Sequence, residues 1–581
     1  MRALLIYLVA AALPPLILWY TAAPERRADF RFAVGAELNT LDPQRMSWLH
    51  DIRIAECLFE PLVRMRLPDM QVEPGAAARW AVSNDGLTYT FHLRPEARWS
   101  NGDPLVASDF LYAWQRAILP DFAADYAQLL FCIEGAEAFF NFRVEQLKQY
   151  GQRPQRDRTA AVRLWEVAKD RFRDTVGIRA GGPNTLVVTL SHRTPYFIEL
   201  CAFATFMPVN ERSVEQFVDF DPGTGMRRQD TQWIKPQNLV CNGPFGLARW
   251  RFKRDLLLVE NEHYWNRQNL GVRSIQQRVI DSPVTQWLAY RSGELDWLPG
   301  VPTTDTLAAD LVASGRSDVH LVPGAGTYFY NFNCSKTFLD GRPNPLSDAR
   351  VRQALSMAID RQTIVEKVTR LGQPVARTFV PVGALSAYEP PVEAGVTFDP
   401  QIAVALLAAA GHPDGAGLTD LSIMYNTGHG HEKIAQAIKS MWKQHLGVVV
   451  TLEGVEGRKF GARLKKHDYS ISRAGWFGDY RDPTTFLDKF LTSNGNNDAA
   501  WSNEAFDRLL RVASTEADPE SRMELLANAE HLMLGEQPIA PIYQYVSLHV
   551  YDARRVQNLW PNPWHLRRLE KVKVAVKVPI R

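Results

Sequence analysis

Hydrophobic and polar positions divide the chain into a strand-rich first part and a second part in which strands and helices alternate. Residues 30–34 and 88–93 alternate with a period of two, which is typical of strands with one buried face. Asp85-Gly86 supplies a turn directly before the second of these strands. Residues 136–174 keep a helical period, and their interleaved basic and acidic residues indicate a solvated face. We therefore expect hairpin strands and a mainly helical segment in the first part.

From about residue 326, strand and helix patterns follow each other, which predicts an α/β region rich in parallel strands. Residues 399–411 begin with Asp-Pro and end with glycine, so the cap, the first-turn proline and the terminal glycine all indicate one helix. Residues 431–447 predict a further helix that ends at glycine, and the apolar residues 448–452 predict a strand directly after it. The fold class predicted from these patterns is α/β.

The N-terminal segment is apolar and has no charge between Arg2 and Ala23. That length suffices to cross the hydrocarbon core of a bilayer as a helix. We therefore predict that residues 1–28 are a signal or membrane-anchor segment, that the protein is extracytoplasmic (periplasmic), and that residues 3–23 could tether it to the cytoplasmic membrane. Small residues at 21–23 resemble a cleavage site, whereas the proline after them favours an uncleaved anchor. The alternative is a buried N-terminal helix in a cytoplasmic protein.

Composition excludes several classes of partner and site. The 66 Lys and Arg residues nearly balance the 64 Asp and Glu residues, and a net charge of +2 gives no electrostatic argument for nucleic acid. The five cysteines contain no CxxC pair, so no metal or redox motif is present. In an oxidising compartment at most two disulfides could form, and their pairing stays open.

Catalytic motifs are also absent from the sequence. His431-Glu432 begins like a zinc-protease helix, but the second histidine four residues later is missing, and His429 with His431 makes only an isolated pair. There is no G-x-S-x-G elbow and no P-loop, and neither Gly324-Ala-Gly326 nor Gly428-His-Gly430 completes a nucleotide fingerprint. These absences do not exclude an enzyme, but no motif in the sequence indicates one, and none indicates a metal or cofactor site.

The strongest candidate for a working site is the run of residues 473–487. Arg473 and Asp479 lie six residues apart in it, separated by Gly475, Gly478 and two aromatic residues, and this composition predicts a loop. Binding residues concentrate on loops, and glycine lets a backbone approach a ligand closely. The alternative is a solvated turn whose aspartate caps the chain itself.

A series of short motifs gives the chain a resemblance to one family. In chain order they are Trp99-Ser-Asn-Gly, Asp109-Phe-Leu-Tyr-Ala-Trp-Gln-Arg116, Asn242-Gly-Pro-Phe245, Tyr290-Arg-Ser-Gly-Glu-Leu-Asp296, Asp348-Ala-Arg-Val-Arg352, Ala358-Ile-Asp-Arg361, Tyr425-Asn-Thr427 and Arg473-Ala-Gly-Trp476. Taken together in this order, they resemble the extracytoplasmic solute-binding proteins of peptide ABC importers (family 5), in particular oligopeptide-binding proteins. The similarity extends over nearly the whole exported chain.

The resemblance implies a two-lobed, class II periplasmic-binding-protein fold with hinge strands and an inserted subdomain in lobe 1. Lobe 1 would comprise residues 29–325 with the insertion at about 60–190, lobe 2 residues 326–545, and residues 546–581 would return to lobe 1. The protein would be a monomer that captures oligopeptides between closing lobes and delivers them to the permease and ATPase subunits of an ABC importer. It would not be an enzyme, and it would have no catalytic residues, metal or cofactor.

The resemblance also implies a set of ligand-binding residues. Asp479 would bind the α-amino group of the peptide, while Arg473 and His431 would receive the α-carboxylate of short peptides. The main chain of Gly475 and Phe477 would bind the peptide backbone. The remaining expected ligand neighbours are Asn426, Asn496, Tyr126 and Tyr545. Arg473 could instead pair with Asp468 or Asp482, and His431 could simply occupy the first turn of its helix.

The chain departs from the family pattern at positions that bear on ligand length. Leu464 and Gly457 stand where oligopeptide binders usually have Arg and Trp, although Arg463 is one place away. Ser47 replaces an acidic residue, Pro299-Gly300 replace a Tyr-Asn pair, and Gly326 and Phe477 replace a cysteine pair found in some members. Alternative ligands on the same fold are dipeptides, nickel chelates, haem and sugars. A sensor receptor and a peptidase are alternative functions.

Overall fold

The computed structural model describes residues 27–301, 306–385, 387–427, 430–492 and 494–575. The predicted anchor segment, except its last two residues, and His429 lie outside these ranges. Within the described ranges, no helix combines the length and apolar character that crossing a bilayer requires.

The strands lie mainly in two four-stranded sheets and one five-stranded sheet. In chain order they are β1 Phe30–Val34, β2 Val63–Arg66, β3 Gln71–Pro74, β4 Ala77–Val82, β5 Thr88–Leu93, β6 Ile178–Ala180, β7 Thr185–Thr189, β8 Val218–Phe220, β9 Arg227–Gln229, β10 Phe245–Arg251, β11 Asp255–Glu260, β12 Ser274–Val279, β13 Val319–Phe332, β14 Ser422–Asn426, β15 Thr451–Val455, β16 Ile471–Phe477, β17 Ile539–Val550, β18 Val556–Gln557 and β19 Lys573–Val574.

The helices contribute buried apolar side chains to the same cores as the strands. They are α1 Leu49–Leu58, α2 Ala107–Ile118, α3 Ala136–Gly151, α4 Arg158–Thr175, α5 Phe197–Leu200, α6 Glu211–Glu215, α7 Pro283–Arg291, α8 Thr306–Ala313, α9 Ala349–Met357, α10 Arg361–Thr363, α11 Pro400–Ala409, α12 His431–Leu446, α13 Gly457–Lys465, α14 Thr484–Leu487, α15 Glu504–Thr515 and α16 Pro519–Glu536.

The first part of the chain builds two separate sheets around one large apolar core. One sheet has the order β1-β12-β11-β10, with β1 and β12 parallel, and the other is the antiparallel sheet β4-β5-β7-β6. The predicted strands 30–34 and 88–93 are β1 and β5, and the predicted helical segment is confirmed as α3 and α4. Its buried residues fall on one face of α4, as the helical period requires.

The second part forms the sheet β15-β14-β16-β13-β17. Its first three strands run parallel, and β13 is antiparallel to both neighbours. Two predicted helices are confirmed as α11, capped by the Asp399 side chain, and α12, which ends at Gly447 in the left-handed conformation. The predicted strand 448–452 is wrong by three residues, because pairing with β14 starts only at Thr451, while Val448 and Val450 pack into the core.

Two long strands, β13 and β17, connect the two parts. Near Val546 and Val550, β17 packs with Ala33 and Leu298 of the first part, whereas Tyr543 packs in the core of the second part. The pairing of β13 with β17 shifts register after Pro323. A bulge of this kind bends and twists a strand pair locally. The domain limits expected from the sequence stay predictions.

Candidate functional site

The candidate run 473–487 is only partly a loop. Residues Arg473–Phe477 belong to β16 and pair one by one with β13, from Tyr330 opposite Arg473 to Gly326 opposite Phe477. The prediction of a loop for these residues is wrong, because pairing with a distant strand outweighs the low strand preference of glycine. The loop spans residues 478–483, and α14 follows it.

One edge of β16 is open beyond its first residues. The neighbouring strand β14 pairs with β16 only at Ile471 and Ser472. On the other side, the main-chain N–H of Gly478 donates to the carbonyl of Ala325 in β13, at 2.9 Å. Since backbone groups alternate in direction along a strand, the N–H and C=O groups of Gly475 and Phe477 point away from β13. No strand of the described residues pairs with them there.

Asp479 lies just past the end of this open edge. Its carboxylate is half-buried and accepts a hydrogen bond from the Tyr126 hydroxyl at 2.8 Å. Its main-chain N–H donates to the Thr485 hydroxyl at 2.9 Å, which fixes the loop against α14. No lysine, arginine or histidine of the described residues forms an ion pair with it. Burial raises the pKa of Asp479 to about 7, and the Tyr126 hydrogen bond opposes this only in part.

The neighbouring charges of the loop are already paired. Asp482 is buried and accepts from both terminal nitrogens of Arg522, at 2.7 and 2.9 Å. Arg463 donates to Asp468 and to Glu453. The two alternative partners that the sequence offered for Arg473 are therefore engaged elsewhere. Arg463, one place from a position where relatives have arginine, is committed to its own carboxylates.

Arg473 is held by neutral groups. Its guanidinium donates to the Tyr545 hydroxyl at 2.9 Å and to the Asn426 side-chain oxygen at 3.3 Å. The guanidinium carbon lies 4.9 Å from the centre of the Tyr328 ring. No carboxylate of the described residues forms an ion pair with Arg473. A guanidinium fixed by hydroxyl, amide and ring groups can still accept an anion.

His431 lies close to this arginine through Tyr328. It is the first residue of α12 and is buried, with 5% of its surface exposed. Its Nδ1 and the Tyr328 hydroxyl are 3.2 Å apart and share a hydrogen bond. His431 thus occupies the first turn of a helix and lies one side chain away from Arg473; its role in ligand binding stays a prediction.

Tyr545 links the remaining predicted residues. The Phe477 ring stacks on the Tyr545 ring with centroids 4.5 Å apart. A Cβ atom on Gly475 would come within 2.3 Å of the Tyr545 hydroxyl oxygen. Glycine at this strand position therefore leaves the space in which Tyr545 reaches Arg473. Arg473, Asn426, His431, Gly475, Phe477 and Tyr545 form one connected group.

Asp479, Tyr126 and Asn496 belong to a second group around a cavity of about 300 Å³, open to solvent, between the two parts of the chain. Asn496 is held by Lys465, whose ammonium donates to the Asn496 side-chain oxygen at 3.1 Å. The residues expected from the resemblance thus fall into two groups, and β16 runs from one to the other.

Sequence reasoning missed the contacts that join the site loop to the first part. Arg481 pairs with Glu199 of α5 at 2.7 Å. The Tyr480 ring stacks on Tyr196 with centroids 4.4 Å apart and an interplanar angle of 15°. The signal available in the sequence was only an aromatic and a basic residue next to Asp479, which does not specify partners.

The C-terminal part of the chain packs on the same loop. The Pro563 carbonyl accepts from the Ala325 N–H at 2.9 Å. A Cβ atom on Gly478 would lie 2.5 Å from the Trp564 ring, so glycine is needed for this packing. His565 contacts the Phe477 ring edge to face, at 5.3 Å. The segment 563–565 therefore supports both the end of β16 and the turn after it.

The described residues contain no group of three or more metal-ligand side chains. All five cysteines lie in the described part, and none forms a disulfide. The positions where some relatives of the predicted family have a cysteine pair, Gly326 and Phe477, are cross-strand neighbours here. The Phe477 ring occupies the space beside Gly326.

Replacing Gly475 with valine tests the role of the open edge. We expect Gly475→Val to displace Tyr545 and cover the edge of β16, weakening the binding of all peptides alike by about 1–3 kcal/mol, or roughly 5- to 150-fold. Isothermal titration measures the loss. Gly246→Val in β10 is the matched control, because nothing lies within 4 Å of its Cβ position. Full affinity in Gly475→Val would contradict backbone pairing at this edge.

The comparison with known proteins assigns the family. Residues 71–498 match the family described as bacterial extracellular solute-binding proteins, family 5 Middle. The chain therefore belongs to the family 5 bacterial extracellular solute-binding proteins, whose class II fold has two lobes. The family is one of solute-binding proteins and acts outside the cytoplasm.

Individual relatives are similar along most of their length. The chain is 35% identical over 503 residues to the oligopeptide-binding protein OppA of Bacillus subtilis, covering 85% of this chain and 83% of the relative. It is 32% identical over 526 residues to the periplasmic murein peptide-binding protein MppA of Escherichia coli, covering 87% and 86%. The solved structure of the Escherichia coli murein tripeptide-binding protein MppA superposes with a TM-score of 0.77 at 29% identity, covering 94% and 99% of the two chains.

Proposed function

We propose that this protein captures short oligopeptides between its two lobes and delivers them to an ABC importer. One observation carries the proposal: an open strand edge runs between a carboxylate and a guanidinium, and neither has an ion-pair partner among the described residues. A peptide in solution carries an ammonium at one end and a carboxylate at the other. Its backbone can add to the edge as a further strand.

The spacing of the two charges favours short ligands. Arg473 and Asp479 are six residues apart, which corresponds to at most about 20 Å of extended chain. An extended peptide of three to five residues spans about 10–17 Å, and the two side chains cover the remainder. The ammonium would bind Asp479 and the carboxylate would bind Arg473, with His431 close by.

Backbone pairing explains how one site could accept many sequences. Hydrogen bonds to Gly475 and Phe477 would use only the main chain of the ligand, so they do not depend on its side chains. The roomy cavity beside Asp479 would hold side chains together with water, which adapts its hydrogen bonds to different residues. Asn426, Tyr545, Tyr126 and Asn496 would line the path of the peptide.

Contacts between the loop and the first part support a closing motion. Tyr126 bonds to Asp479, and Arg481 pairs with Glu199. A ligand ammonium would add a charge pair at the same place, and so favour the closed form over the open one. The closed form would then be recognised by the permease.

The names of relatives agree with this proposal. They include oligopeptide-binding proteins of Bacillus subtilis and Salmonella typhimurium and a structure of Haemophilus influenzae OppA in complex with the peptide RPPGFSPFR. We further propose that the protein is a monomer, and that residues 3–23 direct it to the periplasm, where they either are removed or remain as a membrane tether.

Titration calorimetry of the full-length chain with tripeptides tests the function. Binding of trialanine, together with its recovery intact by mass spectrometry after long incubation, is the expected result. Cleavage of the peptide would indicate a peptidase. Absence of binding to any peptide, with binding to a nickel chelate, haem or a sugar, would replace the proposed ligand class.

The raised pKa of Asp479 predicts the pH dependence of binding. The carboxylate has a pKa of about 7 without ligand, and a bound ammonium lowers it. Affinity is therefore full above pH 7 and falls, by up to about tenfold per pH unit, as pH decreases below 7. Above about pH 8 the peptide amine loses its proton, so the optimum lies between about pH 7 and 8. Calorimetry from pH 5 to 9 measures this profile, and constant affinity from pH 5 to 7 would contradict it.

A further inference from the structure

A second carboxylate opens into the cavity beside Asp479. Asp488 follows α14 directly and lines the same cavity of about 300 Å³. Its side chain is half-buried, and within the described part of the chain its carboxylate receives no hydrogen bond and forms no ion pair. Burial, and then the nearby negative charge of Asp482, raise its pKa to about 7.

Unlike Asp488, the nearby charged residues Asp482 and Lys489 have ion-pair partners. Asp482 is paired with Arg522 at 2.7 Å, and the Arg522 charge opposes the raised pKa of Asp488 only in part. Lys489, the next residue, is buried and donates to Asp498 at 2.8 Å. The two neighbouring cations thus form their ion pairs with other carboxylates, and Asp488 has no ion pair of its own among the described residues.

The other titratable groups of the cavity do not supply a positive charge to Asp488. Glu137 is exposed, lines the cavity and adds negative charge. His192 has a pKa lowered by burial, so it is neutral at pH 7. Asp479 contributes the carboxylate that the proposed function assigns to the ligand ammonium. The cavity therefore carries more negative than positive charge.

The walls of the cavity suit a long side chain with a charged end. They include Leu129, Leu200 and Leu491 and the aromatic rings of Tyr126, Tyr196 and Trp476. Lysine and arginine bury their aliphatic stems against such surfaces and keep the charged group at a polar position. Aromatic faces also attract a cationic group.

We propose that this cavity takes a lysine or arginine side chain next to the peptide amino terminus, and that Asp488 binds its charged group. The protein would therefore prefer short basic peptides. This inference rests on the proposed function, because Asp479 must first fix the amino terminus at the mouth of the cavity.

Matched peptides test the preference in the full-length chain. Lys-Ala-Ala and Ala-Lys-Ala are titrated beside the same peptides with norleucine, which has a similar length and no charge. We expect at least one lysine peptide to bind about 10- to 100-fold more tightly than its norleucine counterpart, as charge-assisted hydrogen bonds predict. In Asp488→Asn, the ratio should fall below about threefold.

The measured quantity is the ratio of the affinities for the lysine peptide and its norleucine counterpart within each variant. A change that affects the binding of all peptides alike cancels in this ratio. Asp468→Asn, whose carboxylate is paired with Arg463 away from the cavity, is the control and should keep the full ratio. Equal affinities in the unaltered protein, or an undiminished ratio in Asp488→Asn, would overturn the inference while leaving peptide binding intact. Failure to bind trialanine as well would overturn the proposed function, and this inference with it.

Discussion

Asp479→Asn should lower the affinity for free-amine peptides by about 3–5 kcal/mol, or roughly 100- to 4,000-fold, and should leave N-acetylated peptides almost unaffected. The reason is that a closed cleft would bury the ligand ammonium against a neutral amide. Among the described residues, no other carboxylate accepts a hydrogen bond from Tyr126. Asparagine keeps the shape of the side chain, so the loop retains its bond from the Asp479 N–H to Thr485. Titration of each variant with trialanine and N-acetyl-trialanine measures the difference.

The control for this substitution is Asp468→Asn, which removes a carboxylate of the same lobe that is engaged with Arg463. It should bind both peptides normally. If Asp479→Asn weakened acetylated and free-amine peptides equally, the aspartate would serve only to hold the loop and Tyr126, and the amino anchor would have to be sought elsewhere.

Arg473→Met should weaken the binding of tripeptides with a free carboxylate by about 2 kcal/mol or more, or roughly 30-fold or more, and should matter little for C-terminally amidated ones. Methionine retains part of the stem that packs near Tyr328, but it cannot donate to an anion. The loss should be largest for the peptide length whose carboxylate lies over Arg473, so a series from dipeptide to hexapeptide also measures ligand length.

Arg463→Met provides the matched comparison, because this arginine is engaged with Glu453 and Asp468. We expect it to alter stability but not the discrimination between carboxylate and amide termini. An equal loss for amidated and unmodified peptides in Arg473→Met would assign the arginine to holding Asn426 and Tyr545 in place.

Local signals in the sequence were sufficient to predict several helices and where they end. Asp399 with its following proline, and the glycine at 447, specify helix ends through hydrogen bonds made within a few residues. The strand β16 was not predictable in the same way. Its glycine-rich residues are strand only because β13, far away in sequence, pairs with them.

The contacts of the candidate site could not be predicted from local patterns either, because they join residues far apart in the sequence. Tyr126 and Asp479 are separated by 353 residues, and Arg481 and Glu199 by 282. No periodicity or spacing connects residues so far apart, so Tyr126 was reached only through the family resemblance and Glu199 was not reached at all. The residues alone indicated a candidate site only through the glycine-rich and aromatic composition around Asp479.

The packing of residues 563–565 against Gly478 and Phe477 has a consequence for biosynthesis. Ribosomes make this segment after every other residue of the candidate site, so a nascent chain still lacks the support of its binding loop. A partly synthesised protein would then bind peptides weakly, even after Asp479 and Arg473 have emerged from the ribosome. Capture of cytosolic peptides before export would be disfavoured by the order in which the molecule is made.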